Sequence, residues 1–360
     1  MNGLYLTLTS DRYTDPNVLT TEKEKIFFKE WLFVGHLCEF ENEGSYISRS
    51  ILDQQIFVIR GKDGALRGFY NVCAHRGHEL VKGSGIAKTL VCGYHNWSYF
   101  TDGKLKVAPN SKNVAGFERD RICLTPIRIE LCGQFVFVNL DPEAAPLKEK
   151  VGDLAAEIQI EYPDITATDL KMIDESSWGV QANWKVDIEN FLECYHCAPA
   201  HSLFGSVFEV SSQRAILNEH YVFHYAEPKP IDKAGYVYDP EAYPKRLATW
   251  TIFPNTMIYL FPGKPTIGVM VASPHPTDPN QSVFWAKTYA TDAESAMAPD
   301  LFHIMDVTMN EDIEIIESVQ RGMRSKGFER GALLIDADLS EKSEHTIYHF
   351  QQYIMRQLEA

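Results

Sequence analysis

The chain has 360 residues, 45% of them hydrophobic and 23% charged, and its 34 Lys plus Arg against 49 Asp plus Glu leave a formal net charge of -15. That balance excludes nucleic acid or an anionic membrane as the main partner, since either needs a basic face. The apolar and aromatic content excludes a disordered chain. Two domains are expected at this length, since domains typically run to roughly 100–200 residues, and the seven cysteines, an odd number, point to reduced thiols or metal ligands rather than an extracellular disulfide framework. The opening MNGLYLTLTSDRYTD lacks a basic region followed by an apolar core, and no apolar run approaches the length of about 18 residues needed to span a bilayer, so a cytoplasmic protein is expected.

Residues 18–32, VLTTEKEKIFFKEWL, read as a helix capped by Thr20 or Thr21, with Glu24 completing a capping box. From there to about residue 142 the texture is one of short strands: GSYISRSIL, QQIFVIRG, LRGFYNVC, KTLVCGY and GQFVFVNLDP, separated by NEG, KDG, TDG and CG turns. A helix near 151–161 leads into the aromatic-rich region 176–204. Strands LATWTIF, TMIYLF, TIGVMVASP and SVFWAKTYA follow between 247 and 290, then a helix from Ala298 to Gly322 and another near 343–358. This order predicts an all-β first domain and an α+β second one.

Within the β region, Cys73-Ala-His75 and Cys92-Gly-Tyr-His95 are separated by sixteen residues, and each pair has glycines nearby that let two loops approach one small object. One Cys and one His from each of two loops is what a Rieske centre needs, where two thiolates hold one iron and two imidazoles the other. The same four residues could form a Cys2His2 zinc site, although zinc fingers pair like ligands in each loop.

With these four residues, the NWSYFTDGKL that follows, NWKVDIENFLECYHCAPAH in the middle and NEDIEIIESVQRGMRS near the end, the chain resembles the catalytic (alpha) subunits of Rieske non-haem iron oxygenases over nearly its whole length. The resemblance implies a Rieske 2Fe-2S cluster on Cys73, His75, Cys92 and His95, and a mononuclear Fe(II) on His196, His201 and Asp312 in a helix-grip catalytic domain. It divides the chain into an N-terminal helical segment, 1–32, packing on the catalytic domain, an iron–sulfur domain, 33–145, and the catalytic domain, 146–360. It also implies a homotrimer, with NAD(P)H electrons arriving through a separate flavin or iron–sulfur reductase. Such a reductase must be separate, because this chain has no GxGxxG or plant-type ferredoxin spacing.

The chemistry is consistent with this ligand set, because two histidines and one carboxylate leave open positions on ferrous iron for dioxygen beside a substrate. His196 and His201 are five apart, so a regular helix would not aim both at one point; Pro199 is expected to break the helix at Ala198. Glu193, three residues before His196, falls on the same helical face. The resemblance makes it the acid that bridges electron transfer between subunits. Asn190 is expected to be structural or near the iron, and Cys194 and Cys197 to be packing thiols. His36, His78, His220 and His275 are expected to be surface or satisfied core groups.

Glutamate at 193, where many ring-hydroxylating relatives carry aspartate, resembles the branch acting on quaternary ammonium compounds such as betaines and carnitine. The aromatics Phe208, Tyr221, Phe223, Tyr236, Tyr238, Trp250, Phe253, Tyr259 and Trp285 are the candidates for a cationic cage. Hydroxylation or oxidative N-demethylation of such a cation is the expected reaction. The alternatives are hydroxylation of an aromatic carboxylate, a Rieske electron carrier without oxygenase activity, and a non-enzymatic helix-grip binding protein.

Overall fold

The structure, a computed structural model, describes residues 4–166, 170–291 and 299–359. It divides into two compact units: residues 27–147, and residues up to 26 together with 148 onward.

In the first unit a seven-stranded antiparallel sheet runs in the order Leu32–His36, Phe135–Asn139, Pro126–Cys132, Leu66–Tyr70, Gln54–Arg60, Ser45–Ile51 and Ser84–Ile86. The unbroken run Ile56-Phe-Val-Ile59 is buried on both faces, whereas Ser45–Ile51 alternates and faces the core with every second residue at its start. A separate three-stranded sheet, Leu90–Val91, Ser98–Tyr99 and Leu105–Val107, carries the second Cys-His loop. Phe57, Phe69, Tyr99 and Leu105 form one core with Cys73 and Cys92, so the thiols are built into the domain's packing.

In the second unit another seven-stranded antiparallel sheet is ordered Lys171–Val180, Ser282–Ala290, Thr266–Pro274, Thr256–Leu260, Leu247–Ile252, Tyr221–Ala226 and Arg214–Leu217. The last six in space form a meander, and the earliest strand pairs with the latest to complete the sheet. The helix Trp184–Phe191 packs on the strands Thr266–Pro274 and Ser282–Ala290 and on the long helix Pro299–Met323. The fold class is therefore the expected one, an all-β domain and an α+β domain.

Several local expectations change. The N-terminal helix starts earlier, at Pro16, because Asp15 accepts from the Asn17 N–H and Pro16 fits the first helical position; it passes into a π turn, Lys23–Phe27, instead of reaching 32. The 151–161 helix is two short ones, Leu147–Val151 and Leu154–Glu161, interrupted at Gly152 with φ +55°. The third helix is Pro299–Met323; Ala298, its expected first residue, lies outside the described residues. Strands Pro126–Cys132, Lys171–Val180, Arg214–Leu217 and Tyr221–Ala226 were not expected.

One buried polar anchor positions the ligand-bearing segment. Glu22 accepts from the Trp184 indole N–H at 2.9 Å and from Lys185 Nζ at 2.5 Å, and all three side chains are fully buried. This ties the N-terminal helix to the start of Trp184–Phe191. Such a pair adds little net stability but is costly to break.

Candidate metal centres and substrate cavity

The two Cys-His loops of the first unit are twins. In each, the residue four beyond the cysteine donates its N–H to the cysteine carbonyl: Gly77 to Cys73 and Asn96 to Cys92, each at 3.0 Å. In each, the cysteine N–H in turn donates to the residue five on, His78 or Trp97. Closing that turn requires a left-handed residue, and Gly77 and Asn96 have φ +75° and +56°.

Both cysteines are buried, at 2% exposure, while His75 is exposed and His95 half-buried, their rings 4.7 Å apart. Trp97 stacks on His75 at 4.6 Å and 6°. The donor set fits a 2Fe-2S cluster: two thiols inside, two imidazoles outside, and His95 Nδ1 buried with no hydrogen-bond partner. The Tyr99 hydroxyl accepts from the Ala74 N–H at 3.0 Å, which leaves its own proton for Cys73 Sγ at 3.1 Å. Burial and the neighbouring Cys73 push the phenol up, so it stays a donor.

In the second unit His196, His201 and Asp312 bring one ligand atom each within 4.8 Å of one another. His196 Nδ1 donates to Glu193 Oε1 at 2.5 Å and His201 Nδ1 donates to Glu311 Oε2 at 2.8 Å. Both Nε2 atoms then face Asp312 Oδ1, at 3.4 and 3.0 Å. A carboxylate on each Nδ1 fixes the tautomer that frees Nε2 for a metal. Burial works against the charged form of His196, but Asp312 and Glu193 outweigh it and raise the pKa to about 9. The donor set therefore fits a divalent iron.

The route by which the chain reaches this geometry differs from the expectation. The helix Trp184–Phe191 ends before Glu193, so the acid meets His196 across a turn, its carboxylate also accepting from the backbone N–H groups of Tyr195 and His196. Ala198 and Pro199 lie inside a short helix, Cys197–Ala200, and the break comes at its end, where His201 has φ -118° and ψ 82°. Pro199 is accommodated because it sits in the first turn, where no intrahelical partner for its nitrogen is needed.

Cys194 and Cys197 are buried in the core around Phe208, as expected of packing residues, but they are joined in a disulfide and are not free thiols. The turn that presents Glu193 brings their Cα atoms to 4.8 Å. Asn190 Nδ2 lies 3.4 Å from His196 Nε2, beside the site rather than remote from it. Of the acids flanking Asp312, Glu314 is exposed, and Glu311 is the partner of His201 that the sequence left undistinguished. His36 and His224 are buried and His275 accepts from two backbone N–H groups.

A cavity of about 100 Å³ opens on the triad. Its rings are Phe191, Phe204, Phe208, Tyr225, Tyr259 and Phe261; of the nine aromatics expected, Phe208 and Tyr259 are the ones that line it. Trp250 stacks on Phe223 at 4.9 Å and Phe253 packs on Phe350 and Tyr353, all away from the iron ligands. A second cavity of about 170 Å³ adjoins the first across Tyr259, Phe261, Met270, Met305 and Met309, and its wall includes Asp174 and Asp306. Neither wall contains a Lys or Arg among the described residues.

Two family models match the chain, the Rieske [2Fe-2S] domain over residues 30–118 and the ring hydroxylating alpha subunit (catalytic domain) over residues 153–360. The carnitine monooxygenase oxygenase subunit of Escherichia coli (strain K12) is 34% identical over 97% of this chain and 92% of its own length. The crystal structure of the quaternary ammonium Rieske monooxygenase CntA with L-carnitine superposes with a TM-score of 0.88 at 32% identity, covering 99% of this chain and 96% of that one. A further structure of a quaternary ammonium Rieske monooxygenase, described for carnitine oxidation by gut microbiota and inter-subunit electron transfer, gives 0.89 at 31% identity over the same shares. Matched over nearly its whole length by these relatives, the chain belongs to the ring-hydroxylating oxygenase alpha-subunit family, with a Rieske cluster and a mononuclear iron as its cofactors.

Proposed function

We propose that this oxygenase component hydroxylates, or oxidatively N-demethylates or cleaves, a quaternary ammonium substrate, with two electrons from a separate NAD(P)H-dependent reductase and one dioxygen. The balance is substrate C–H, O2, two electrons and two protons to substrate C–OH and water. Hydroxylation next to the nitrogen gives a carbinolamine that falls apart unaided, so no further catalytic acid is needed. The observation that carries the reading is the cavity: aromatic rings and the carboxylates of Glu193 and Asp312 on its walls, and no Lys or Arg among its described lining residues. A desolvated ring face attracts a trimethylammonium by about 2 kcal/mol, and the acids add Coulombic attraction.

Bound at the ligand sets described, the Rieske cluster relays electrons and the mononuclear iron activates dioxygen. The chain's own residues do the rest. His196, His201 and Asp312 hold the metal, Glu193 and Glu311 fix the two rings, and Asn190 borders the metal-facing nitrogen of His196. The rings exclude water from the floor of the cavity. Cys73, His75, Cys92 and His95 hold the cluster, and Glu193 carries electron transfer to His196 across a subunit boundary in a homotrimer. A helical segment to residue 32, an iron–sulfur domain to 145 and a catalytic domain beyond it, a flavin or iron–sulfur reductase partner and a cytoplasmic site belong to the same proposal. In support, no described helix is long and apolar enough to cross a membrane.

Hydroxylation of an aromatic carboxylate is the weaker reading, because no Lys or Arg lines the described cavity to pair with the acid. The test is oxygen uptake and formaldehyde release with reductase and NADH across betaines, amino alcohols and aromatic acids. Iron near three per chain and uptake only with quaternary ammonium compounds is the expected result. Two irons per chain and no substrate-dependent uptake would reduce the protein to an electron carrier.

A further inference from the structure

The wall between the two cavities is built across the sheet. Tyr259, Gly268, Thr288 and Asp174 stand directly opposite one another on four neighbouring strands, so they share one face. Tyr259 lines both cavities, whereas the other three line the second. The Tyr259 ring lies over Gly268 so closely that an added Cβ there would overlap its Cζ and both Cε atoms. Beyond the glycine, the Tyr259 hydroxyl bonds the Thr288 side chain. The missing side chain at 268 is therefore the seat of the ring, and the ring's far end is held two strands away from its own.

The rest of the shared wall is softer. Met305 and Met309 lie one turn apart on the helix Pro299–Met323, on the side of it that carries Asp312, and Met270 and Phe261 complete the wall from the sheet. A thioether on rotatable bonds can give way to a ligand. A ring seated on a glycine and held at its hydroxyl cannot do so without leaving its place. The space behind this wall, about 170 Å³, is larger than the space in front of it, about 100 Å³.

We propose that Tyr259, seated on Gly268, is the specificity-determining residue for substrate length: it is the end wall of the iron-side cavity, and it closes the space behind to a substrate tail. The limit rests on the functional reading above, in that the iron-side cavity holds the substrate, and it adds size to charge as a selected property. A tail that stops short of the ring gains about fourfold in affinity with each methylene it buries. A longer tail must displace the ring or fold back, and overfilling a packed space is costly. The sequence marks Tyr259 as one of nine candidate rings and leaves Gly268 unmarked, because the role of a strand glycine depends on the residue that faces it across the sheet.

The experiment uses the full chain with cluster and iron, and the n-alkyltrimethylammonium series from ethyl to n-hexyl. Anaerobic calorimetry reads affinity, and oxygen uptake with reductase and NADH reads kcat/KM. In the unaltered protein affinity is expected to rise with tail length and then to drop at least about tenfold within the series, kcat/KM dropping with it. Tyr259→Ala is expected to move the drop at least two methylenes further or abolish it, whereas Tyr259→Phe, which keeps the ring, is expected to keep the drop in place. No drop in the unaltered protein, a drop unmoved in Tyr259→Ala, or a drop lost in Tyr259→Phe overturns the proposal. Gly268→Ala should shift the cut-off, and that shift should vanish when Tyr259 is already Ala; no shift, or one that persists in that background, overturns Gly268 as the seat of the ring. Circular dichroism checks folding, and Tyr259→Leu replaces an alanine variant that fails it. If no member of the series is bound or consumed while aromatic carboxylates are, the quaternary ammonium reading has failed. The cut-off is then read on 4-alkylbenzoates, where a drop unmoved in Tyr259→Ala still overturns this proposal.

Discussion

The two metal centres are assembled in opposite ways. The four residues proposed to hold the cluster fall between 73 and 95, on two loops closed by their own backbone hydrogen bonds. Those proposed to hold the iron come from a turn at 196–201 and a helix position more than a hundred residues later, and they meet only because helix, sheet and N-terminal segment pack as they do. One site is a local motif that carries its own scaffold. The other is a property of the whole catalytic unit, and its geometry is as secure as that packing.

If this contrast holds, the sites can be lost separately. His196→Ala is expected to abolish turnover, by three orders of magnitude or more, and to leave the visible Rieske absorption unchanged; loss of both signals would show that the two sites are not separable. Cys92→Ser is the reverse case, erasing the cluster spectrum while colorimetric assay still finds the mononuclear iron.

A change outside both ligand sets should strike only the dispersed site. Glu22→Ala leaves Lys185 charged and buried, a loss of about 3–5 kcal/mol. Chemical denaturation monitored by circular dichroism should show it, with the cluster spectrum of the folded fraction intact. Equal damage to the cluster would mean that the iron–sulfur unit depends on the catalytic unit's packing.

Glu311→Gln is a smaller test, because the His201 ring keeps a hydrogen bond but loses a charged partner. Iron affinity is expected to fall about 10–100-fold, as for other partners of ligating histidines, measured by competition with a chelator. Tyr99→Phe should have the mildest effect. Without its proton on the Cys73 thiolate, the cluster's midpoint potential should fall in a redox titration, with metal content unchanged.

The same contrast explains how much the sequence disclosed. Ligands at short fixed spacing are legible because the loop that holds them is also local. His196, His201 and Asp312 were named from a family resemblance, and nothing in the residues alone separated Asp312 from Glu311 or Glu314; only the helix rotation against His201 does that. The cavity aromatics were the least legible. Which face a strand residue presents depends on register, and most of the conspicuous rings, Trp250 among them, turned into packing while Phe204, Tyr225 and Phe261 face the substrate space. The strand Lys171–Val180 was missed because, although its burial alternates from Asp174 onward, two of the inward residues, Asp174 and Ser176, are polar and leave no apolar alternation to read. The N-terminal helix was misplaced because Asp15-Pro16, a stronger start than Thr20, went unused.

The burial pattern around the twin loops has one more consequence, for the direction of traffic. With both thiols sealed in the core, His75 exposed and His95 half-buried, a cluster held by these four residues would turn its histidine side toward solvent and partners. Electron tunnelling fades steeply with distance, so current into and out of such a domain would be channelled through His75 and His95. The insulating core behind Cys73 and Cys92 would work as a backstop, making the domain a one-sided electrical contact.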